Sequence, residues 1–324
     1  MRLRYLFTAL VLAAAMIQPV SGPGNVAAEA PPPLAVLMAC QGEVTVARAD
    51  GSTVRGTFGM PLAAGDEVRT GKDGGTDILF ENGNYISIGT SSSMTVRGSK
   101  AQNGKIEPTK PMGDNGFEVA QSYLKLKSAE GTSSIAGLRG DRGEELRAVS
   151  PRQTRILDDR PRFMWESDDA SAELRLTLYN DTGVLWKSEI DGATELEYPA
   201  DAPVLVTGIT YSWTVETTDP LKFPPLRSKA AFFELISDEE RTSLAAALNR
   251  IDNDGSLSPI SRHVMRASVF FNDDLLADAV FETEKAVNLV PDDTALQSIL
   301  ARLYNEVGRT DEAMAIYDQI LDKP

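Results

Sequence analysis

The sequence predicts a multidomain protein that is mainly β-structure over its N-terminal two thirds and all α-helical in its C-terminal part. As far as Val215, apolar residues alternate with polar ones, and Asp-Gly or Asn-Gly pairs separate several of the runs. After Ser237 the apolar residues recur every three or four positions, which is the helical period. At 324 residues the chain has room for two or three domains with cores of their own.

The composition argues against several classes of function. The formal net charge of −15 disfavours a nucleic-acid partner, which requires clustered Lys and Arg. The chain has one cysteine, Cys40, and one histidine, His263, so it offers no internal disulfide and few groups for a zinc site or a Ser-His or Cys-His pair. We therefore expect a non-enzyme that uses no cofactor and no metal.

Residues 1–28 are predicted to be a secretory signal peptide. Two arginines precede an apolar run too short to span a bilayer comfortably, and small residues precede a cleavage point after Ala28. We expect export across the inner membrane to the periplasm, with no membrane-spanning segment left after cleavage. The alternative is a lipid anchor on Cys40, because residues 37–40 resemble a lipobox, although this cysteine lies well past the apolar run in a stretch predicted as strand.

Residues 29–148 are predicted to form a compact antiparallel β-domain. Val44 and Val46 alternate with polar residues, and Asn82 and Gly83 mark a hairpin turn between two further alternating runs. From residue 34 to about residue 100 no helical periodicity interrupts the pattern.

The later part of this domain is predicted to continue as strands. Residues 117–128 and 133–149 would supply them, and residues 98–116 would form a long exposed loop. The stretch 61–89 is rich in glycine and acidic residues, as ion-binding and phosphate-binding loops are. However, no helix follows it and its acids lack the spacing of a cation loop, so we interpret it as turns of the sheet.

Several short elements resemble, in their order and spacing, the FecR-type β-domain over residues 34–148. They are Gly42, Val44, Val46, Leu62, Gly65, Asp66, Val68, Thr70, Asn82 and Gly83, followed by Gly-Leu-Arg-Gly at 137–140. That last motif stands where the family usually has Val-Arg-Gly-Thr. The resemblance implies an envelope-exposed domain that senses or binds a glycan or a small ligand and has no known catalytic residues. Founding members also carry an anti-sigma segment and a membrane helix, which this sequence does not show after the signal peptide.

Residues 161–235 are predicted to form a second β-region, after a linker at 149–160. Trp165, Trp186 and Trp213 all fall on its alternating strands. Tryptophans on a sheet can form a carbohydrate-binding platform, but they more often fill the core of a small sandwich. We interpret these three as core residues. The pattern P-x-F-x-W followed by L-x-x-G-x-x-Y-x-W-x-V resembles fibronectin type III or immunoglobulin-like modules, which implies a spacer or adhesive module.

Residues 237–324 are predicted to form a helical repeat unit that begins at the N-cap Ser237. Two segments repeat at an offset of 34 residues (301 − 267), which pairs Ala267 with Ala301, Phe270 with Tyr304 and Ala279 with Ala313. This resembles the tetratricopeptide repeat, although Thr283 of the first copy stands where a large residue is usual. The resemblance implies a concave face that docks an envelope protein or peptide. Because stacked repeats stabilise their neighbours, we expect so short a unit to be stabilised by packing against the sandwich, a partner or a second copy.

One short stretch resembles part of a calcium-binding loop. Asp252, Asp254 and Gly255 match three of its positions, but Arg250 and Ser261 then occupy two positions that require oxygen ligands from acidic residues. We predict no cation there.

The remaining titratable candidates are also interpreted as structural. Asp158 with Asp159, and Asp168 with Asp169, are adjacent in sequence, so on a strand their carboxylates would point to opposite faces and would not form a glycosidase pair. His263 lies near the start of a helix and is interpreted as a packing or capping residue.

The sequence thus favours a non-enzymatic envelope protein that scaffolds or recognises a protein or glycan partner through its β-domains and helical repeats. Two alternatives stay open: a ligand sensor of the FecR type, and a cell-wall enzyme, which the shortage of His and Cys disfavours.

Overall fold

The computed structural model describes residues 33–97, 108–128, 146–169, 171–219 and 224–322. Strands dominate the N-terminal two thirds of these residues and helices the C-terminal part, which confirms the predicted order of β-structure and then α-structure. Within these ranges no helix is both long and apolar enough to cross a membrane. The predicted signal peptide at 1–28 and the Gly-Leu-Arg-Gly motif at 137–140 lie outside the described residues.

The first β-region consists of two antiparallel four-stranded sheets, with the orders β4-β1-β6-β7 and β3-β2-β5-β8. Its strands are β1 (Ala35–Gln41), β2 (Val44–Ala47), β3 (Thr53–Arg55), β4 (Pro61–Leu62), β5 (Glu67–Thr70), β6 (Gly75–Phe80), β7 (Tyr85–Ile88) and β8 (Ser93–Thr95). Alternate residues such as Val44, Val46 and Val68 face one apolar core between the sheets.

The glycine-rich stretch 61–89 forms strands β4 to β7 and their connections. At the β6–β7 hairpin, Gly83 has φ +79°, and a Cβ at this position would lie 2.3 Å from the carbonyl oxygen of Gly113. Only glycine satisfies both constraints, so this residue serves the turn and the close approach of the neighbouring loop.

Residues 117–128 are helical, so the predicted strand there is wrong. Helix α1 (Gly116–Leu124) is followed by a 3₁₀ turn at Lys125–Ser128. Phe117, Ala120 and Tyr123 recur every three residues and are buried on one side of the helix. A short apolar stretch of this kind fits a strand as well as a helix in the sequence, and burial of this helical face against other modules decides between the two.

The second β-region is a sandwich whose sheets have the orders β10-β16-β15-β12-β13 and β14-β11-β9. Its strands are β9 (Leu146–Ser150), β10 (Thr154–Ile156), β11 (Arg162–Ser167), β12 (Glu173–Asn180), β13 (Gly183–Asp191), β14 (Glu195–Glu197), β15 (Thr210–Thr217) and β16 (Ala231–Leu235). β9 crosses the predicted boundary at 148 and pairs with β11, and β10 pairs with β16. The stretch 149–160, predicted as a linker, therefore contributes strands to the sandwich.

The tryptophans contribute to the core of this sandwich. Trp165 and Trp213 are 2% and 0% exposed, and the ring of Trp213 lies edge-on to Phe163 with centroids 5.0 Å apart. Trp186 is half-buried and packs edge-on against Tyr198 at 5.1 Å. This arrangement gives aromatic packing in the core and not an exposed platform of three rings.

The C-terminal helices are α2 (Asp238–Asp252), α3 (Pro259–Asn272), α4 (Leu276–Leu289), α5 (Thr294–Glu306) and α6 (Thr310–Leu321). Helix α2 begins at the predicted N-cap Ser237, which forms a capping box with Glu240. Ser258 and Asp293 cap α3 and α5 through their side chains. Helices α3 with α4 and α5 with α6 form the two helix pairs that the 34-residue offset predicts.

One hydrophobic core joins the first β-region to the helices. It contains Met38 of β1 and Phe117 of α1 together with Val264 of α3 and Leu300 of α5. A buried carboxylate reinforces the junction, because Asp77 of β6 is 2% exposed and accepts hydrogen bonds from hydroxyls at the start of α3. The donors are Ser258 Oγ and, at 2.7 Å, Ser261 Oγ.

Replacing Asp77 with alanine should therefore weaken the joint between β6 and α3. The substitution leaves two hydroxyl groups without their acceptor and removes a negative charge from a helix N-terminus, so the free energy of unfolding should fall by roughly 2–3 kcal/mol. Urea unfolding followed by circular dichroism measures the change. Asp73→Ala, in the exposed loop before β6, is the matched control and should change stability by less than about 0.5 kcal/mol; equal effects of the two variants would contradict the role of Asp77.

Candidate functional site

The first helix of each C-terminal helix pair is covered by another segment of the same chain. α1 packs on α3, and the turn at Lys125–Ser128 packs on α5, so this segment lies across the first helix of each repeat. Lys127 then ties the turn to the first β-region, because its Nζ donates to the carbonyl oxygen of Gly59 at 2.5 Å. The surfaces of α3 and α5 that meet this segment are thus an internal interface.

Tyr123 is the centre of that interface. It is 0% exposed, and its ring meets Phe271 edge-on at a centroid distance of 6.2 Å. Thr283 Oγ1 donates to the carbonyl oxygen of Ala279 at 2.7 Å, so the hydroxyl of Tyr123 donates to Thr283 Oγ1 at 2.8 Å. Burial raises the pKa of Tyr123 well above its usual value, which keeps the hydroxyl neutral as a donor.

The departure of Thr283 from the repeat pattern has a structural reason. Residue 317, one repeat later, is a tyrosine, whereas Thr283 is small and fully buried. A large side chain at 283 would compete for space with the ring of Tyr123, which the first β-region inserts from outside the repeats.

His263 takes part in a cluster of charged groups between α3 and α4. Its Nδ1 lies 2.7 Å from Glu282 Oε2, and Arg266 and Lys285 reach Oε1 of the same carboxylate at 3.2 Å and 3.5 Å. Burial raises the pKa of Glu282, but the hydrogen bond from His263 and the two positive charges outweigh it, so this pKa lies below its usual value. His263 is therefore held by a carboxylate that two positively charged side chains also contact.

The side chains of the stretch that resembles a calcium-binding loop form other bonds. Asp252 accepts a hydrogen bond from Arg266 at 2.7 Å, and Asp254 accepts from the backbone and hydroxyl of Ser256 at 2.9 Å and 2.5 Å. Ser261 bonds to Asp77 instead. Among the described residues no group of three or more His, Cys, Asp or Glu side chains could hold a metal ion.

Of the four adjacent acids, Asp158 and Asp169 stabilise local turns. Asp158 Oδ1 accepts from the backbone N–H of Arg160 at 2.9 Å, and Asp169 Oδ1 accepts from Ser171 at 3.1 Å and 2.7 Å. These bonds are typical of Asx turns, so the acids stabilise loops at the ends of strands.

Cys40 lies in β1, near the end of a strand that pairs with β6. Its Sγ is 3.7 Å from Thr76 Oγ1, and burial raises the pKa of the thiol to about 12. Ala35–Ala39, immediately before it, are all buried. Cleavage at a lipobox ahead of Cys40 would remove these core residues from the central strand of a sheet.

A cavity of about 370 Å³ lies between the sandwich and the repeats. Its walls come from β9, β11, α4 and the turn into α6, and it includes Trp165, whose indole Nε1 is buried without a partner among the described residues. Sequence reasoning missed this cavity, because its residues are far apart in the chain and none has an unusual local pattern.

No protein-family model matches the chain, and a comparison with curated proteins gives no match. The likenesses to FecR-type, immunoglobulin-like and tetratricopeptide modules thus stay predictions.

The hydrogen bond between Tyr123 and Thr283 can be measured by a double-mutant cycle. Tyr123→Phe and Thr283→Val should each lower the free energy of unfolding by about 1 kcal/mol, with a coupling energy of about 0.5–1.5 kcal/mol, because each removes one partner of the same bond. Tyr123→Ala should cost about 3–5 kcal/mol by leaving a cavity.

Glu118→Gln, on the exposed side of α1, is the control and should change stability by a few tenths of a kcal/mol. If the effects of Tyr123→Phe and Thr283→Val were simply additive, the hydrogen bond between the two residues would be refuted.

Stability should depend on pH through Glu282. Because its folded-state pKa is lowered, its contribution is complete above the ordinary glutamate pKa of 4.5 and is lost as the pH falls through the folded-state value. We expect Glu282→Gln to cost roughly 2–3 kcal/mol at pH 7 and less at an acidic pH below 4.5, measured by urea unfolding at both values. Glu306→Gln breaks the exposed pair with Arg302 and should cost less than about 0.5 kcal/mol at either pH. A cost of Glu282→Gln that stays constant with pH would count against this ion-pair network.

Proposed function

We propose that the protein is a non-enzymatic protein of the cell envelope that scaffolds or recognises a partner as one rigid body. The observation that supports this is the continuous core from β1 through α1 to α3 and α5, which fixes the first β-region against the C-terminal helices. A chain built in this way presents outer surfaces at constant distances, as a scaffold requires. The site geometry also favours a non-enzyme, since the described His263 and acidic pairs are engaged in structural bonds.

The outer side of α4 is the surface that we assign to a protein partner. Phe281 and Leu289 are 55% and 46% exposed, eight residues apart on one helical face. Lys285 lies between them in the sequence, with its Nζ 3.9 Å from the centroid of the Phe281 ring. Large apolar side chains grouped on one exposed face are typical of protein interaction surfaces. We expect the partner to contact this face with apolar side chains of its own.

The proposed location is the periplasm, as a protein released after removal of residues 1–28. The position of Cys40 in a buried strand favours this location over a lipid anchor, because the cleavage that exposes a lipid-modified cysteine would remove Ala35–Ala39 from the core.

Photo-crosslinking in intact cells tests the proposed surface. With p-benzoylphenylalanine in place of Phe281, we expect a crosslinked adduct with a protein partner in the periplasmic fraction. Adding Leu289→Asp, which places a charge on the same face, should reduce the adduct at least roughly fivefold, as expected for loss of about 1 kcal/mol of apolar contact.

The control is the same photo-reactive residue at Val184, which is also 55% exposed but lies on β13 of the sandwich. Equal labelling from the two positions would show random collision and would refute the assignment to α4. Recovery of the protein in the membrane fraction, with release only on removal of Cys40, would contradict the proposed location.

A further inference from the structure

Strand β13 is the open edge of the larger sandwich sheet. It comes last in the order β10-β16-β15-β12-β13, and among the described residues its backbone pairs with β12 alone. The opposite edge is closed, because the N–H of Arg155 in β10 donates to the carbonyl oxygen of Asp274 at 2.8 Å. The sheet therefore has one long edge that can accept a further strand.

The hydrogen bonds of β12 show which backbone groups of β13 point outward. In an antiparallel sheet the N–H and C=O of one residue point to the same side, and successive residues alternate. Glu173 of β12 accepts from the N–H of Thr218, which directly follows β15, so Leu174 and every second residue after it point to β13. The β13 partners of these residues are Ile190, Ser188 and Trp186. Lys187 and Glu189 lie between those partners, so their N–H and C=O groups point to the open edge.

A second copy of β13 complements this edge when the two strands run antiparallel about Ser188. Residues at equal distances before and after Ser188 then face each other, so Lys187 of each copy lies opposite Glu189 of the other. Each such pair exchanges both N–H···O hydrogen bonds, because these are the groups that point outward. The hydroxyl of Ser188, 3.3 Å from the carbonyl oxygen of Glu189, can rotate away from that oxygen.

The charges on β13 favour this register over its neighbours. Lys187 is exposed and forms no ion pair within the described part of the chain. Glu189 binds Arg175 through Oε1 at 2.7 Å, so its Oε2 can accept from a second cation. Centring the pair on Lys187 or on Glu189 would instead place like charges opposite each other, which is destabilising. Lysine on an edge strand usually prevents pairing with unrelated strands, whereas a second copy supplies the matching carboxylate.

The apolar side chains of β13 match in the same register. On the inner face Trp186 would lie opposite Ile190 of the second copy, in the positions between hydrogen-bonded pairs, where side chains are closest. Trp186 is half-buried at the margin of the sandwich core, so pairing would cover more of its ring. Aromatic and β-branched side chains opposite each other stabilise paired strands.

We propose that two copies of this chain associate through β13, so that one sheet continues through both sandwiches. The contact is reciprocal, so it closes as a dimer and leaves no open β13 edge. This interface goes beyond the scaffold function and does not involve the outer face of α4. A photo-reactive residue at Val184 would label the second copy, and the doubled mass of that adduct distinguishes it from an adduct with another protein.

Sedimentation equilibrium of the whole mature chain measures the self-association. We expect a dimer with a dissociation constant of about 10–100 µM, because one short strand pair buries less area than the interfaces of stable complexes. Lys187→Glu and Glu189→Lys each place like charges opposite each other and should weaken the dimer at least roughly tenfold. Lys72→Glu makes the same change of charge in an exposed loop between β5 and β6 and should leave the dissociation constant as it is.

Mixing the two weakened variants tests the register itself. A strand with glutamate at both positions then faces a strand with lysine at both, so the mixture should form a heterodimer at least as tight as the original dimer. Circular dichroism should show both variants folded, since both positions are exposed. Leu289→Asp, on α4, should leave the dimer intact, which separates this interface from the surface assigned to another protein.

Three results would overturn the proposal. They are a monomer at about 500 µM, equal weakening by Lys187→Glu and Lys72→Glu, and a mixture of the Lys187→Glu and Glu189→Lys variants that associates no better than either variant alone.

Discussion

The burial of helix α1 is the interaction on which the rest of the structure depends. A nine-residue helix is too short to be stable alone in water, so α1 forms because Phe117, Ala120 and Tyr123 are buried against the repeats. The repeats depend on α1 in turn, since two repeats have few neighbours of their own to cover their apolar faces. Each part thus supplies the surface that the other lacks, and the core that they share is additional to the one enclosed between the two sheets of the first β-region.

This mutual dependence changes where recognition can take place. A helical unit with open faces can present them to peptides, but here α1 and the turn at Lys125–Ser128 pack on α3 and α5. Tyr123 is fully buried and hydrogen-bonded, so releasing this segment would expose a large apolar area and two polar groups. The contact is therefore part of the fold, and the surfaces left for partners are the outer faces and the cavities between modules.

The sequence predicted the elements whose signals are local. The alternation at Val44 and Val46, the N-cap at Ser237 and the 34-residue offset all depend on residues near each other in the chain, and the structure contains the corresponding strands and helices. The nature of α1 and the membership of β9 in the sandwich were not predictable in this way. Both depend on burial against segments far along the chain, and short apolar runs fit a strand as well as a helix.

The cavity beside Trp165 could not be predicted for the same reason. Its walls extend from Val149 to Glu312, and whether an indole N–H is paired depends on the tertiary surroundings of the ring and not on its neighbours in sequence. The sequence correctly placed this tryptophan on an alternating strand, but alternation indicates only that a side chain faces inward.

One local signal did point to the long-range contact. Thr283 departs from the repeat pattern at a buried position, and a small residue there leaves either a void or space for another part of the chain. Protein interiors contain few voids, because each unfilled volume loses both apolar transfer energy and dispersion contacts. A small polar residue at such a position therefore indicates a side chain from elsewhere that fills the space and pairs with the hydroxyl. Tyr123 does both, and in doing so it converts a short repeat unit into part of a larger, continuous core.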